Sequence, residues 1–380
     1  MNTPLEVKFS LKDQLFNPTK VAKIAHEIHR VYPAFKRLDF IEAVTQKFPE
    51  LELKERIYHI TACLIDFLPE AYEEAIAILL QSLPQPCDPK LKDNDFGDYI
   101  YAPYNHFVVV KGCAKQQLTL SLNALEELTT RFSAEDAIRY FINAFPKESL
   151  NQLKKWVTHP HYHVRRLVSE GTRPKLPWSQ NIILSPKESI PFLNQLYTDP
   201  TRYVTRSVAN HLNDISKIEP TLVFELLANW KNEKKQSKKE LDYIIRHALR
   251  TCIKKGDKKA LALIGVNEKP LLSIDSSVIS KQVVMDDYFS FDIALTPKED
   301  TTLLIDYVIH FQSKNGDLNR KKVFKLKQMD AKANATIQLS KKQHMRKNMS
   351  TRTLYPGTHV WQLQVNGDIV LEESFELISN

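Results

Sequence analysis

Glycine is scarce in this chain: eight residues in 380, about 2%, against an ordinary share of about 7%. They stand singly at positions 97, 112, 171, 256, 265, 316, 357 and 367. No two are close enough for a GxGxxG fingerprint or a P-loop, so nucleotide binding through a glycine-rich cradle is excluded in its usual form. Cysteine is equally sparse. Cys63, Cys87, Cys113 and Cys252 are far apart, with no CxxC pair and no framework spacing, which predicts reduced, mostly buried thiols. No apolar run approaches the ~18 residues of a membrane span, and Met1-Asn2-Thr3-Pro4-Leu5-Glu6 lacks the basic-then-apolar layout of a signal peptide. A cytoplasmic protein with no membrane partner is expected.

What the chain does have is length, ordinary polarity and positive charge. At 380 residues it has room for two or three domains, each with its own core. Apolar residues make up 43% and charged residues 26%, with a net charge of +8 and an isoelectric point near 9.0. Such an excess suits nucleic acid or another anionic surface.

From Val21 to about Val266 apolar residues recur at helical spacing, as in Val21, Ile24, Ala25 and Ile28, or Ile57, Ile60, Leu64 and Phe67. Prolines at 33, 49, 69, 146, 160, 200 and 220 fall between these stretches, where helix ends are expected. Gln85 to Gly97 is a polar loop. Val164-Arg165-Arg166-Leu167-Val168 aligns with Val204-Thr205-Arg206-Ser207-Val208 and with Ile244-Ile245-Arg246-His247-Ala248 at an offset of 40 residues, the length of a HEAT or armadillo unit. Arg166, Arg206 and Arg246 are then expected in register along one surface.

After Pro270 the pattern turns β-like, in Phe289–Ile293, Val323–Lys327 and His359–Val365. Asn366-Gly367 is a strong hairpin signal and Pro356-Gly357 marks a second turn. About 110 residues with some seven short strands suits an immunoglobulin-like sandwich. The predicted fold is therefore mainly α: a HEAT-like helical-repeat solenoid over 1–270, followed by a C-terminal all-β immunoglobulin-like sandwich over 271–380. Basic residues concentrate in the second part, at Arg320, Lys321, Lys322, Lys325 and Lys327, then Lys341, Lys342, Arg346, Lys347 and Arg352.

The densest polar segment runs from Val164 to Trp178. Arg166 and Glu170, four apart, share a helical face. Gly171 is placed to end that helix, and Pro174 and Pro177 stiffen the exit toward Trp178. Taken alone, these residues admit either an ion pair beside a buried tryptophan or a functional cluster. Glu135 precedes Arg139 by four residues, and Asp214 follows Arg206 by eight, again suggesting shared faces. Tyr203, Asn210, His211 and Asn213 lie on the same long helix, and the two asparagines suit backbone bonding as well as ligand contact. Carboxylates are costly at a DNA-facing surface, so acids kept among such arginines point to stabilisation of a cation. In His159-Pro160-His161-Tyr162-His163 the proline breaks helical geometry and no acid or thiol completes a tetrahedral set. His26-Glu27-Ile28-His29 is one residue short of HExxH. No metal or other cofactor is expected.

Arg165 to Trp178 resembles the signature of the AlkC-type bacterial alkylbase DNA glycosylases, members of the HEAT-like repeat alkylbase glycosylases. Arg206 to Lys217, Arg131 to Glu135 and Ile245 to Arg250 fit the same pattern, and the likeness extends to the Tyr355–His359 and Val365–Gly367 turns. Asp136 and Tyr140 depart from it, standing where the family carries a more apolar residue and a proline. The resemblance implies helical repeats followed by an immunoglobulin-like domain, and excision of cationic N3-methylated bases (3-methyladenine and 3-methylcytosine) without extruding the base. It makes Glu135, Glu170 and Asp214 the active-site acids and sets Arg166 and Trp178 beside the lesion. Arg173, Arg206, Arg246, Lys325 and Lys327 are then expected to contact DNA.

The expected partner is damaged double-stranded DNA, bound by a monomer at the bacterial nucleoid. The alternative is a non-catalytic repeat scaffold that binds DNA or an acidic partner.

Overall fold

The computed structural model describes residues 10–379, save 92, 94, 95, 268, 350 and 351. The N-terminal hexapeptide and part of the polar loop read above lie outside the described residues. The chain separates into two compact units, Met1–Ile215 and Ser216–Asn380.

The first unit is helical: α1 (Leu11–Leu15), α2 (Pro18–Val31), α3 (Arg37–Thr45), α4 (Leu53–Phe67), α5 (Tyr72–Ser82) and α6 (Ala102–Gly112), then α7 (Leu118–Thr129), α8 (Ala137–Ala144), α9 (Pro146–Trp156), α10 (Tyr162–Gly171), α11 (Pro186–Leu196) and α12 (Arg202–Ile215). Proline opens several of these, at N1 of α2, α9 and α11, where its missing N–H costs nothing and its fixed φ is already helical. The apolar stripe of α2, Val21, Ile24, Ala25 and Ile28, is wholly buried. α4 packs on α6, and α10 on α11 and α12, the paired-helix contacts of a repeat array. The helix carrying the Val164 motif and the one carrying the Val204 motif are thus neighbours, as the 40-residue offset implies.

Gly171 does end α10, but not through a left-handed turn. A Cβ there would stand 2.5 Å from Ile138 Cγ2, so glycine is required because α8 crosses at this point. The His-Pro-His-Tyr-His run builds the start of the same helix. His161 Nδ1 accepts from the His163 N–H at 3.2 Å, and Nε2 bonds the Cys87 carbonyl at 2.9 Å. Cys63 and Cys252 are buried, while Cys87 and Cys113 are half-buried; all four are free thiols.

The second unit begins with α13 (Pro220–Glu233), α14 (Lys238–Ala248), α15 (Arg250–Lys254) and α16 (Lys258–Leu263). The strands follow: β1 (Leu272–Ile279), β2 (Gln282–Val284), β3 (Tyr288–Pro297), β4 (Thr301–Phe311), β5 (Arg320–Ala331), β6 (Ile337–His344), β7 (Asn348–Met349), β8 (Arg352–Thr353), β9 (Gly357–Val365) and β10 (Asp368–Ile378). They form a three-stranded sheet in the order β1-β3-β6, a five-stranded sheet in the order β2-β10-β9-β4-β5, and a β7-β8 pair. Alternate residues of both larger sheets fill one core, with Phe291 against Trp361 at 4.8 Å between ring centres and Phe289 against Phe375 at 4.3 Å. Asn366 and Gly367, at φ 49° and 88°, make the two-residue turn between β9 and β10. The buried Asn366 side chain accepts from the Leu304 N–H at 2.8 Å and donates to the Asn267 carbonyl at 2.9 Å and the Thr302 carbonyl at 3.1 Å, joining the sandwich to the helical segment before it. No helix of the described residues is long and apolar enough to cross a membrane.

Candidate active site

The turn at 133–136, α10, the loop that follows α10 and α12 bring five charged side chains of the first unit into one chain of contacts. Arg166 Nη1 donates to Glu135 Oε2 at 2.7 Å and to Ser133 Oγ at 2.8 Å. Its Nη2 lies 3.6 Å from Glu170 Oε2, the i,i+4 pair read from the sequence. Arg173 donates to Glu170 Oε1 through Nη1, and to Asp214 Oδ2 through Nε at 2.8 Å and Nη2 at 2.7 Å. The order is Glu135, Arg166, Glu170, Arg173, Asp214. Three carboxylates against two guanidiniums leave one net negative charge.

Two serines missed in the sequence complete the set. Ser133 Oγ donates to Glu135 at 2.8 Å, and Ser207 Oγ donates to Glu170 Oε2 at 2.6 Å. A short hydroxyl two or 37 residues from a carboxylate has no periodicity to reveal it. Tyr203 lines the cluster, with the Arg166 guanidinium 4.6 Å from its ring centre. Burial pushes the Tyr203 hydroxyl up to about 12, so it stays protonated at neutral pH.

Glu170 and Asp214 are 4% and 6% exposed, whereas Glu135 is half-buried. Burial alone would raise the Glu170 pKa; Arg166, Arg173 and the Ser207 hydroxyl reverse this and hold it below the ordinary glutamate value. A buried carboxylate flanked by two cations in this way stays ionised at pH values near neutral. His211 sits beneath, its Nδ1 2.9 Å from the Ser169 carbonyl. Burial and then Arg173 press it down to about 4, so it is neutral.

Two expected arrangements are corrected by the geometry, and the alternative left open for Trp178 is decided. Glu135 does not pair with Arg139: it lies in the turn before α8 and turns to Arg166, while Arg139 points inward. Asp214 does not face Arg206, since eight residues along a helix leave side chains about 80° apart, and Asp214 reaches Arg173 instead. Arg206 contacts Asp93 and lies 5.9 Å from the ring centres of Phe96 and of Tyr203. Trp178 is not buried: it is 87% exposed, on a loop whose backbone there has φ 68°.

The remaining expected residues belong to the second unit. Arg246 is exposed on α14 and donates to the Ile264 carbonyl at 3.4 Å. Lys325 and Lys327 are exposed on β5, the edge strand of the five-stranded sheet, while Val323, Phe324 and Leu326 on that strand are partly buried.

Comparison with known proteins relates the chain to a family. The family model for the C-terminal immunoglobulin-like domain of the uncharacterised protein YhaZ matches residues 274–379. The uncharacterised protein YhaZ of Bacillus subtilis (strain 168) is 33% identical over 361 residues, covering 94% of this chain and 96% of that one. The structure of the Pseudomonas fluorescens alkylpurine DNA glycosylase AlkC, bound to DNA containing an abasic site analogue, superposes with a TM-score of 0.86 at 32% identity. The match covers 97% of this chain and all of that one. The chain belongs to the AlkC family. Its helical-repeat region and C-terminal immunoglobulin-like sandwich are those of an AlkC-type protein.

Proposed function

We propose that this AlkC-family protein is a DNA glycosylase of base excision repair, and that it hydrolyses the N-glycosidic bond of cationic N3-alkylated bases, 3-methyladenine and 3-methylcytosine, in duplex DNA. The observation that carries the reading is the Glu135–Arg166–Glu170–Arg173–Asp214 chain, an acidic centre in a basic protein. The 32% identity to a structure described as a DNA-bound alkylpurine glycosylase supports it.

Methylation at N3 makes the base a cation, so it departs with the bonding electron pair as a neutral molecule and needs no acid to protonate it. The deoxyribose gains positive charge at C1′ and O4′ as the bond breaks, as in glycoside hydrolysis. Preorganised carboxylates stabilise that charge. One of them takes a proton from the water that attacks C1′, leaving the abasic hemiacetal. Glu135, Glu170 and Asp214 are the acids for this work. Arg166 and Arg173 hold them in place and keep Glu170 ionised, and Trp178 stands ready to meet the lesion.

Extrusion of the base requires a deep pocket, whereas helical repeats offer a shallow face, which favours excision without flipping. In this account residues 1–270 are the catalytic domain and 271–380 grip DNA, with Arg206, Arg246, Lys325 and Lys327 on phosphates.

The test is base release from methylated duplex DNA, with products separated by chromatography, for wild type beside Glu170→Gln and Asp214→Asn. Release of 3-methyladenine by wild type and its loss in folded, DNA-binding variants supports the reading. No release by folded wild type leaves a DNA-binding scaffold.

A further inference from the structure

We propose that Arg139 and Lys54 are positioning residues. They clamp the segment from Arg173 to Gln180, so that one loop presents the Arg173 guanidinium to Glu170 and Asp214 and the Trp178 indole to DNA. The inference rests on the glycosylase reading and adds to it two residues that lie behind the loop rather than in the carboxylate chain.

Arg139 is fully buried on α8, and the hydrogen bonds of its guanidinium run to one short stretch of main chain. Nε donates to the Gln180 carbonyl at 2.8 Å, and Nη1 to the carbonyls of Arg173 at 2.7 Å and Gly171 at 3.2 Å. Its Nη2 has no partner. One turn along α8, Asn143 donates to the Asn181 carbonyl at 2.8 Å and accepts from the Ile183 N–H at 3.0 Å. From α4, Lys54 Nζ donates to the Trp178 carbonyl at 2.6 Å. Side chains of two helices therefore fix the loop main chain at 171, 173, 178, 180, 181 and 183.

The loop needs such fixing. Trp178 adopts a left-handed backbone, which is unfavourable for a bulky residue and persists only where its surroundings enforce it. Its indole is also exposed, while Trp156, Trp230 and Trp361 are buried to 1% exposure or less. A core arginine that meets main-chain carbonyls instead of a carboxylate contributes geometry more than cohesion. Because it bonds the carbonyl of Arg173 itself, Arg139 sets the origin of the guanidinium that bridges two of the three acids. A misplacement there is felt at Glu170 and Asp214.

The experiment uses Arg139→Lys and Lys54→Met in the full chain. Lysine retains the charge but not the fork that reaches three carbonyls together. Three quantities are measured: single-turnover release of 3-methyladenine at saturating enzyme, affinity for undamaged duplex, and fluorescence anisotropy decay with iodide quenching. Iodide selects Trp178, since the other three tryptophans are buried. Both variants are expected to lose about tenfold or more in the saturated rate, because small misplacements of catalytic groups cost that much. Duplex affinity is expected to stay within about threefold, a loss in rate and not in binding, and Trp178 to gain segmental mobility.

Thermal melting checks folding; if Arg139→Lys does not fold, Lys54→Met, at a partly exposed position, decides alone. A saturated rate within about twofold of wild type, or unchanged Trp178 mobility, overturns the proposal. If wild type releases no base, the glycosylase reading fails instead, and the anisotropy measurement still decides whether the clamp exists.

Discussion

Glu170 is the residue on which most of the proposed chemistry converges, since it contacts both arginines and a serine of the same cluster. Glu170→Gln keeps the shape and removes the charge. Excision is expected to fall by about 10²-fold or more, the cost of deleting one electrostatic stabiliser of a transition state. Affinity for undamaged duplex should hold or rise, because a negative charge facing phosphates is gone; single-turnover kinetics beside a binding isotherm reads both. Gly171 gives a packing prediction. Gly171→Ala drives a methyl group to 2.5 Å from Ile138, and the overpacking is expected to cost about 1–3 kcal/mol, measured by denaturant unfolding.

Histidine sets a pH dependence at the same scale. Buried His211 has its folded pKa pressed to about 4, and burial lowers that of His359 as well. Above pH ~6.5 both are neutral in folded and unfolded chains, and their stability is fully present. As pH falls below that value the unfolded chain binds the protons first, so stability is lost between pH ~6.5 and about 4. Urea melts across that range should show the decline, and His211→Gln should flatten part of it.

Among these residues the sequence made the Arg166–Glu170 pair legible, because four residues is one helical turn. It could not show that Glu135 turns to Arg166 across 31 residues, nor that Arg139 is interior. An arginine that bonds main-chain carbonyls leaves no periodic trace and looks like any surface charge.

At the scale of elements, the 40-residue spacing found α10 and α12 as neighbours, and Asn366-Gly367 found the β9–β10 turn, since both signals follow from local geometry. The Arg173–Gln180 loop was legible only in part. Two prolines announced a stiff exit from α10, but the left-handed Trp178 and its exposure depend on carbonyl contacts made by α4 and α8. Of the strands, only β3, β5, β9 and the run after the Asn366-Gly367 turn were placed individually; β1, β4 and β6 were not, and β2, β7 and β8, two or three residues long, are too brief to show alternation. β5 carries a prediction. Its exposed Lys325 and Lys327 lie on an edge strand. If each meets a phosphate, replacing both with alanine lowers the slope of log affinity against log salt by about 2 and weakens binding to all sequences alike. Titrations at several salt concentrations check it; an unchanged slope removes β5 from the DNA-binding account.

For the whole molecule, charge is distributed by task. The chain carries +8 overall, which favours association with a polyanion. Yet the carboxylate–arginine chain in the first unit carries one net negative charge, an arrangement that a pure DNA-binding scaffold has no use for. Net charge and fold class were readable from composition and pattern, whereas the local inversion of sign needed the tertiary contacts that bring the turn at 135, α10 and α12 together.

That inversion is tested by the affinity for duplexes containing a cationic pyrrolidine abasic analogue against the isosteric neutral tetrahydrofuran analogue. Wild type should bind the cationic analogue at least about tenfold more tightly, as expected for a mimic of the transition state, and Glu170→Gln should erase most of that preference. Equal affinity of wild type for the two analogues would contradict stabilisation of a sugar cation by Glu135, Glu170 and Asp214.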